Sequence, residues 1–240
     1  MTDSQAIVCV AMEEEAAPFL AAASANGTTK QIAGASFTPL EIDGKHVLLI
    51  QSGIGLVNAA TALTIALANA PELASLLVVS AGTAGGLGVG VKVGDIVIGT
   101  ETTFSTADST AMGFAYGQLP GMPARYPSTP QLVAAVTKGI SADTVQGTES
   151  RVKTGLIVSS DAFVTANNID TVRERFPDAI AAEMETAALA QICYRFGVPF
   201  IAVRGISDMC GPAAENEFDS NLTGAAEASM QATRAILAGI

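Results

Sequence analysis

Carboxylates, hydroxyls and glycines gather in this chain just after short apolar runs. Glu13, Glu14 and Glu15 follow the run Ala6 to Ala11, and Ser52-Gly53-Ile54-Gly55 comes after Val47 to Ile50. Gly82-Thr83-Ala84-Gly85-Gly86 lies just beyond Leu76 to Ser80. Ser160-Asp161-Ala162-Phe163, Glu183-Met184-Glu185 and Arg204-Gly205-Ile206-Ser207-Asp208 hold the same position relative to later runs. Acidic groups brought together from separate strand ends suit general acid and base chemistry on a neutral ligand. Each also has a structural reading when taken alone. Acidic residues at positions 13 to 15 are favourable near a helix N-terminus, which accounts for two of the three. Glu183 and Glu185, two residues apart where strand gives way to helix, would send one side chain to solvent and the other into a cleft. The glycines fit tight strand-to-helix packing or close approach of backbone to a small ligand.

Other chemistries are poorly served. Gly53-Ile54-Gly55-Leu56-Val57-Asn58 follows a strand and opens a helix, but Asn58 breaks the third glycine of a dinucleotide fingerprint. Glu72 precedes the next strand, where the ribose-binding acid should end it, so no dinucleotide cofactor is expected. A Gly-Lys-Ser/Thr phosphate loop is absent. Three scattered cysteines, Cys9, Cys193 and Cys210, and the single histidine His46 do not assemble a metal-ligand cluster. The thiols read as buried, and neither metal nor cofactor is expected.

The elements that must position these residues follow from the apolar pattern. Runs at Ala6 to Ala11, Val47 to Ile50, Leu76 to Ser80, Asp95 to Ile98, Gly155 to Ser159, Ala179 to Ala182 and Phe200 to Val203 read as strands. Several lack alternation, the mark of a sheet covered on both faces. Helices are expected over Val57 to Ala70, with Val57, Ala60, Leu63, Thr64 and Leu67 on one side, over Met184 to Phe196 ending at Gly197, and over Leu222 to Leu237. Thr102 to Tyr126, rich in Gly, Ser, Thr and Pro, reads as a long excursion. The implied fold is α/β: three αβα layers around a central mixed, largely parallel twisted sheet, in one domain over residues 1–240. Ligands of such sheets collect beyond the carboxyl ends of the strands, where the polar groups lie.

Composition narrows the partners. The 240 residues carry 12 Lys and Arg against 23 Asp and Glu, a net charge of −11, which disfavours nucleic acid and anionic membrane surfaces. Only 15 % of residues are charged and 49 % are hydrophobic, with mean hydropathy +0.42, so the chain must bury much apolar surface. The uncharged stretch Val47 to Pro71 is interrupted by Gln51, Ser52, Asn58 and Asn69, and Leu73 to Val91 breaks at Gly82. Neither reads as a membrane span. No basic, apolar leader is visible at the N-terminus, so a cytoplasmic location is expected.

Together the motifs resemble the bacterial 5′-methylthioadenosine/S-adenosylhomocysteine nucleosidases of the nucleoside phosphorylase/nucleosidase superfamily. The residues that carry the likeness are Ala11-Met12-Glu13-Glu14-Glu15, Ser52-Gly53-Ile54-Gly55, Gly82 to Gly86, Val93-Gly94-Asp95-Ile96-Val97, Tyr116 to Gly121, Gly155 to Phe163, Glu183-Met184-Glu185 and Arg204 to Asp208. They run in order from about Ala6 to Ala235, and the Met-Glu-Glu-Glu opening favours the hydrolytic branch. The resemblance implies a nucleoside phosphorylase-like fold and cleavage of an N-glycosidic bond by water, releasing adenine and a thioribose. It gives Asp208 the role of acid toward adenine N7, oriented by Ser207, and makes Glu15 the general base, with Arg204 and Thr83 helping to place the water. Glu185 becomes the ribose ligand and Met184 lies against the sugar. Phe163 and Val164 take the positions where adenine stacks on an aromatic ring and reads backbone groups beside it, while the 5′ substituent sits in an apolar pocket near Met12 and Ile54. The likeness further implies a homodimer in which the 105–120 region of one subunit caps the partner's site.

This chain departs from the familiar pattern at Met112, where an aromatic is usual, at Ser109, where an apolar residue is usual, and at Leu56, which replaces a lysine. Methylthioadenosine, adenosylhomocysteine, 5′-deoxyadenosine and 6-amino-6-deoxyfutalosine all remain open as substrates. Two other functions stay in view. A phosphorylase would need several cations or amides at the nucleophile position, where Arg204 is the evident cation and Glu15 would repel phosphate. A nucleoside-binding protein without turnover has no need of Glu15, Glu185 and Asp208 together.

Overall fold

All seven apolar runs form strands in the computed structural model, which describes residues 4–143 and 152–239. The chain begins β1 (Ala6–Val10), α1 (Glu13–Ala22), β2 (Ala25–Asn26), β3 (Lys30–Ile32), β4 (Ala35–Ile42), β5 (Lys45–Gln51) and α2 (Leu56–Ala68). It continues with β6 (Leu77–Gly86), β7 (Ile96–Phe104), β8 (Tyr126–Pro127), α3 (Pro130–Asp143) and β9 (Val152–Ser159). The last part is α4 (Ile169–Arg175), β10 (Ala179–Glu183), α5 (Thr186–Phe196), β11 (Phe200–Asp208) and α6 (Ala214–Leu237).

Both faces of the sheet are apolar, which explains the lack of alternation. In β1, Ile7 and Cys9 pack toward α2 and α5, while Ala6, Val8 and Val10 pack toward α1, α3 and α6. Phe200 and Ala202 of β11 join the first core, and Ile201 and Val203 join the second. The buried face of α2 is Ala59, Ala62, Leu63, Ala66 and Leu67, rotated from the expected one, so that Val57 is 74 % exposed. Helix α5 ends as expected, with Gly197 in the left-handed region and its N–H donated to the Cys193 carbonyl. Among the described residues, no helix is long and apolar enough to cross a membrane.

The sheet is mixed, as expected, but antiparallel pairings are as prominent as parallel ones, so its parallel share is smaller than expected. Its order is β10-β9-β7-β11-β6-β1-β5-β4-β2, with β3 on β4 and β8 on β7. Strands β5, β1, β6 and β11 run parallel, but β7 is antiparallel to β11, and β4 is antiparallel to β5. A two-residue turn explains the second reversal: Asp43 and Gly44 both have positive φ, 50° and 76°, which closes a hairpin between β4 and β5. The sheet also folds back on itself. Gly85 and Gly86 of β6 pair with Ala182 and Ala181 of β10, so β6, β11, β7, β9 and β10 form a ring.

Three further differences bear on the site. Helix α6 begins at Ala214, eight residues before the expected Leu222, and brings polar turns beside the strand ends. Helix α5 begins at Thr186, so Met184 and Glu185 stand in the junction before it. The excursion is shorter than expected, since β7 continues to Phe104 and a single 3-10 turn occupies Thr110–Met112.

Candidate active site

Glu15 is the third residue of α1, and its carboxylate turns back over the start of the helix. Oε2 accepts the N–H groups of Ala11 (2.8 Å) and Met12 (3.2 Å), and Oε1 accepts the N–H (2.7 Å) and hydroxyl (3.0 Å) of Thr83. Four donors fix the carboxylate at the end of β1, where it still lines the cavity. Gly82 makes room for this contact. A Cβ there would lie 2.6 Å from Glu15 Oε1, and its φ of +146° is one that side chains rarely adopt.

Asp208 ends β11 beyond a shift in register with β6, between Ile206 and Asp208. Such a bulge re-aims the side chains that follow it. Oδ2 accepts the Ser207 hydroxyl (3.0 Å) and Oδ1 accepts the Cys210 N–H (2.9 Å). Burial raises the Asp208 carboxyl above its ordinary value, although these two donors and the Cys210 thiol work against that rise. Gly85 is needed beside it, since a Cβ would come within 2.3 Å of Cys210 Sγ and 2.9 Å of Asp208 Oδ1.

The acidic pair at the β10–α5 junction corrects the sequence reading, because neither side chain is given up to solvent. Glu183 accepts Arg204 Nη2 (2.7 Å), the N–H groups of Glu185 (3.0 Å) and Thr186 (2.8 Å), and the Thr186 hydroxyl (2.8 Å), with the Ser159 hydroxyl on its other oxygen. Burial alone would push Glu183 up, but Arg204 and these donors hold it below its ordinary value. Glu185 instead receives the Gly55 N–H at 2.8 Å. Burial and then the neighbouring Glu183 charge push Glu185 up to about 8.

These groups face one cavity of about 520 Å³, a size suited to a small organic ligand. Glu15 and Met12 reach it from the β1–α1 junction, Ile54 from the turn before α2, and Thr83 from β6. Phe163 and Val164 line it after β9, Met184 and Glu185 before α5, and Ser207 and Asp208 at the end of β11. Arg204 is the one expected site residue that does not line it. Its side chain is 2 % exposed and bonded to Glu183, Thr186 and Ser80, and no hydrogen bond joins it to Glu15. The expectation that Arg204 helps to place a water beside Glu15 therefore lacks a supporting contact.

Sequence reasoning missed the wall supplied by α6. Glu215, Phe218 and Asp219 line the cavity, and the Phe218 ring meets Phe163 edge-on with centroids 5.9 Å apart. Their i, i+3, i+4 spacing was the available signal. With Glu15, Glu183, Glu185 and Asp208, they give the cavity six carboxyl groups and no Lys, Arg or His among the described lining residues. Met112, Ser109 and Leu56 lie outside it, and Leu56 packs against the core.

Known proteins resemble this arrangement over nearly the whole chain. Residues 5–238 match the phosphorylase superfamily. A 5′-methylthioadenosine/S-adenosylhomocysteine nucleosidase of Anoxybacillus flavithermus is 44 % identical over 219 residues, 90 % of each chain. The nucleosidase of the same name from Neisseria meningitidis, solved with methylthio-immucillin-A, superposes with TM-score 0.91 at 36 % identity, covering 98 % of this chain and 99 % of that one. A third, from Colwellia psychrerythraea 34H, was solved with adenine and gives TM-score 0.89 at 35 % identity over 97 % and 94 % of the chains.

Proposed function

From the premise that this chain belongs to the phosphorylase superfamily and, within it, to the 5′-methylthioadenosine/S-adenosylhomocysteine nucleosidases, we propose a role for each residue of the cavity. The chain is an N-glycosidic hydrolase of 5′-modified adenine nucleosides. Its reaction breaks the bond between ribose C1′ and adenine N9 and joins a water oxygen to C1′. The leaving base needs a proton, and Asp208 gives it one at N7, oriented by Ser207. A carboxyl held up by burial keeps that proton to higher pH than an ordinary aspartic acid. Glu15, held by Thr83 and by the start of its own helix, takes a proton from the attacking water. Glu185 accepts the ribose hydroxyls and Met184 lies beneath the sugar. The base stacks on the Phe163 ring and reads backbone groups beside it at Phe163 and Val164, with the Phe218 ring edge-on to Phe163. Met12 and Ile54 receive the 5′ substituent.

The observation that carries hydrolysis over phosphorolysis is the charge of the cavity wall. Six carboxyl groups, with no Lys, Arg or His among the described lining residues, suit a neutral nucleoside and water and offer a phosphate dianion no cationic partner on the wall. The test is methylthioadenosine incubated with the chain, with and without phosphate, while adenine and the sugar product are followed. Adenine with free methylthioribose at equal rates in both is the expected result. Release that needs phosphate would make the chain a phosphorylase, and binding without release would leave a nucleoside-binding protein.

The proposal extends to one domain over residues 1–240, a cytoplasmic location and a homodimer whose 105–120 region caps the partner's cavity. Exposed apolar side chains near the cavity mouth and on that region support the dimer: Ile54 at 50 %, Val57 at 74 % and Met112 at 69 %. Sedimentation at micromolar concentration decides it, and a fully active monomer would refute it.

A further inference from the structure

One buried cation serves two acidic residues at the β10–α5 junction, and it serves them unequally. Arg204 Nη2 contacts Glu183 Oε2 (2.7 Å), Thr186 Oγ1 (2.7 Å) and Ser80 Oγ (2.8 Å), while Nη1 donates to the Val203 carbonyl (3.1 Å). The same Glu183 oxygen receives the N–H of Glu185 and both donors of Thr186. Glu183 therefore caps the first turn of α5, the segment from which Glu185 projects. Glu185 shares none of these side-chain donors and is met by the Gly55 N–H.

We infer that the Arg204–Glu183 ion pair is a positioning device for Glu185: Arg204 fixes Glu183, Glu183 clamps the start of α5, and Glu185 is thereby held toward the ribose hydroxyls. The inference rests on the ribose role proposed for Glu185. Arg204 acts without reaching the cavity, as a positioning residue.

The pair also sets the charge that Glu185 feels. Glu185 is faced by Glu183 from β10, by Arg204 from β11, by Glu15 from α1 and by the Gly55 N–H. Asp161 accepts the N–H of the next residue, Leu56. Burial first and Glu183 second raise Glu185 to about 8, Arg204 and Gly55 oppose the rise, and Glu15 adds to it. The ionised carboxyl accepts two ribose hydroxyls in charge-assisted bonds stronger than those the neutral acid can offer, so ribose affinity rises with pH as Glu185 ionises. Removing Arg204 alone leaves Glu183 facing Glu185 uncompensated and makes Glu185 harder to ionise. Removing the Glu183 charge alone leaves the guanidinium facing Glu185 and makes it easier. A pair that only supported the fold would be weakened alike by both changes.

The full chain is compared with Arg204→Met, Glu183→Gln and the double variant, using 5′-methylthiotubercidin. This 7-deaza analogue presents the ribose but has no N7 to protonate. Its affinity is measured by calorimetry between pH 4.5 and about 8, the ordinary and shifted values of Glu185, and just above. Adenine, which has no ribose, serves as the control. The midpoint of analogue binding should rise in Arg204→Met and fall in Glu183→Gln, by about 1 pH unit each. The double variant should lie between them, with adenine affinity little changed throughout. Should a single variant fail to fold, Thr186→Val removes the hydroxyl that bridges the pair and should cost several-fold in analogue affinity and nothing for adenine. Midpoints that move together or not at all, or a Thr186→Val chain with unchanged affinity, would overturn the positioning role alone. An unmodified chain that binds adenine but not the analogue would overturn the ribose role of Glu185 as well.

Discussion

Glu15 and Asp208 present the same functional group to one cavity from two junctions finished in different ways. At the β1–α1 junction, three backbone N–H groups and a hydroxyl converge on Glu15, and Gly82 gives up its side chain to let them. At the end of β11, Asp208 has the Ser207 hydroxyl and the N–H and thiol of Cys210, and its burial outweighs them and raises it. The contrast is one of placement: fixed donors hold the Glu15 carboxylate in one orientation, while for Asp208 the loss of water outweighs its donors and favours the protonated form. Two residues apart, Glu183 is surrounded by donors and held low by Arg204 and those donors, while Glu185 is left with a single N–H and is raised.

Removing the acid should have the largest effect. Asp208→Asn keeps the shape of the site but has no proton to give, so turnover of methylthioadenosine should fall by about 10² to 10⁴-fold while the nucleoside still binds. Normal turnover would remove Asp208 from the acid role. Glu15→Gln should follow, with a loss of about 10²-fold and little change in Tm. An equally active variant would show that the water is activated elsewhere. The sharper form of the comparison uses a p-nitrophenyl 5-methylthioriboside, whose leaving group departs without help from an acid. On that substrate Asp208→Asn should recover most of its lost rate and Glu15→Gln should recover none. Equal recovery by both would erase the distinction between the two junctions.

Next in size is a stability effect at Glu185. Its carboxyl titrates near 4.5 in the unfolded chain and at about 8 in the folded one. Between those values the native state holds a proton that the unfolded state has lost. The stabilisation from Glu185 is therefore complete below pH 4.5 and declines as pH rises through about 8. Glu185→Gln has no such titration, so its Tm relative to the unmodified chain should climb across that window, by several degrees at most. A Tm difference that stays flat with pH would mean Glu185 is ionised throughout.

The sequence disclosed the strand ends more completely than the walls between them. Continuous apolar runs such as β1 and β11 were legible because both faces of the sheet are buried. β4 was not, since Ala35–Ile42 has no continuous apolar run and contains Pro39 and Glu41, although the Asp43-Gly44 turn beside it signalled a hairpin. The parallel bias was overestimated for the same reason: an apolar run reveals burial and says nothing of direction, and β7 reverses without any change in its composition. Ten of the eleven expected site residues line one cavity: most sit at strand ends or in the turns after them, Glu15 in the first turn of α1 and Thr83 within β6, which runs on past the expected end at Ser80. Arg204 is the exception, and the cause is charge: two acidic residues at the neighbouring junction claim a cation that spacing alone cannot assign to either.

Phe218 carries the smallest effect and tests whether α6 belongs to the adenine wall. The first turns of α6 are polar enough to read as loop, and their one aromatic ring meets Phe163 edge-on at 5.9 Å, 75° between planes. Such a contact is worth about 0.5 to 1.5 kcal/mol beyond the area it buries. If Phe218 steadies Phe163 against the base, Phe218→Leu should raise KM about two- to tenfold and leave kcat nearly unchanged, because the support is given equally to ground and transition states. A loss confined to kcat would place Phe218 with the reacting groups. No change in either would confine the adenine wall to Phe163 and Val164.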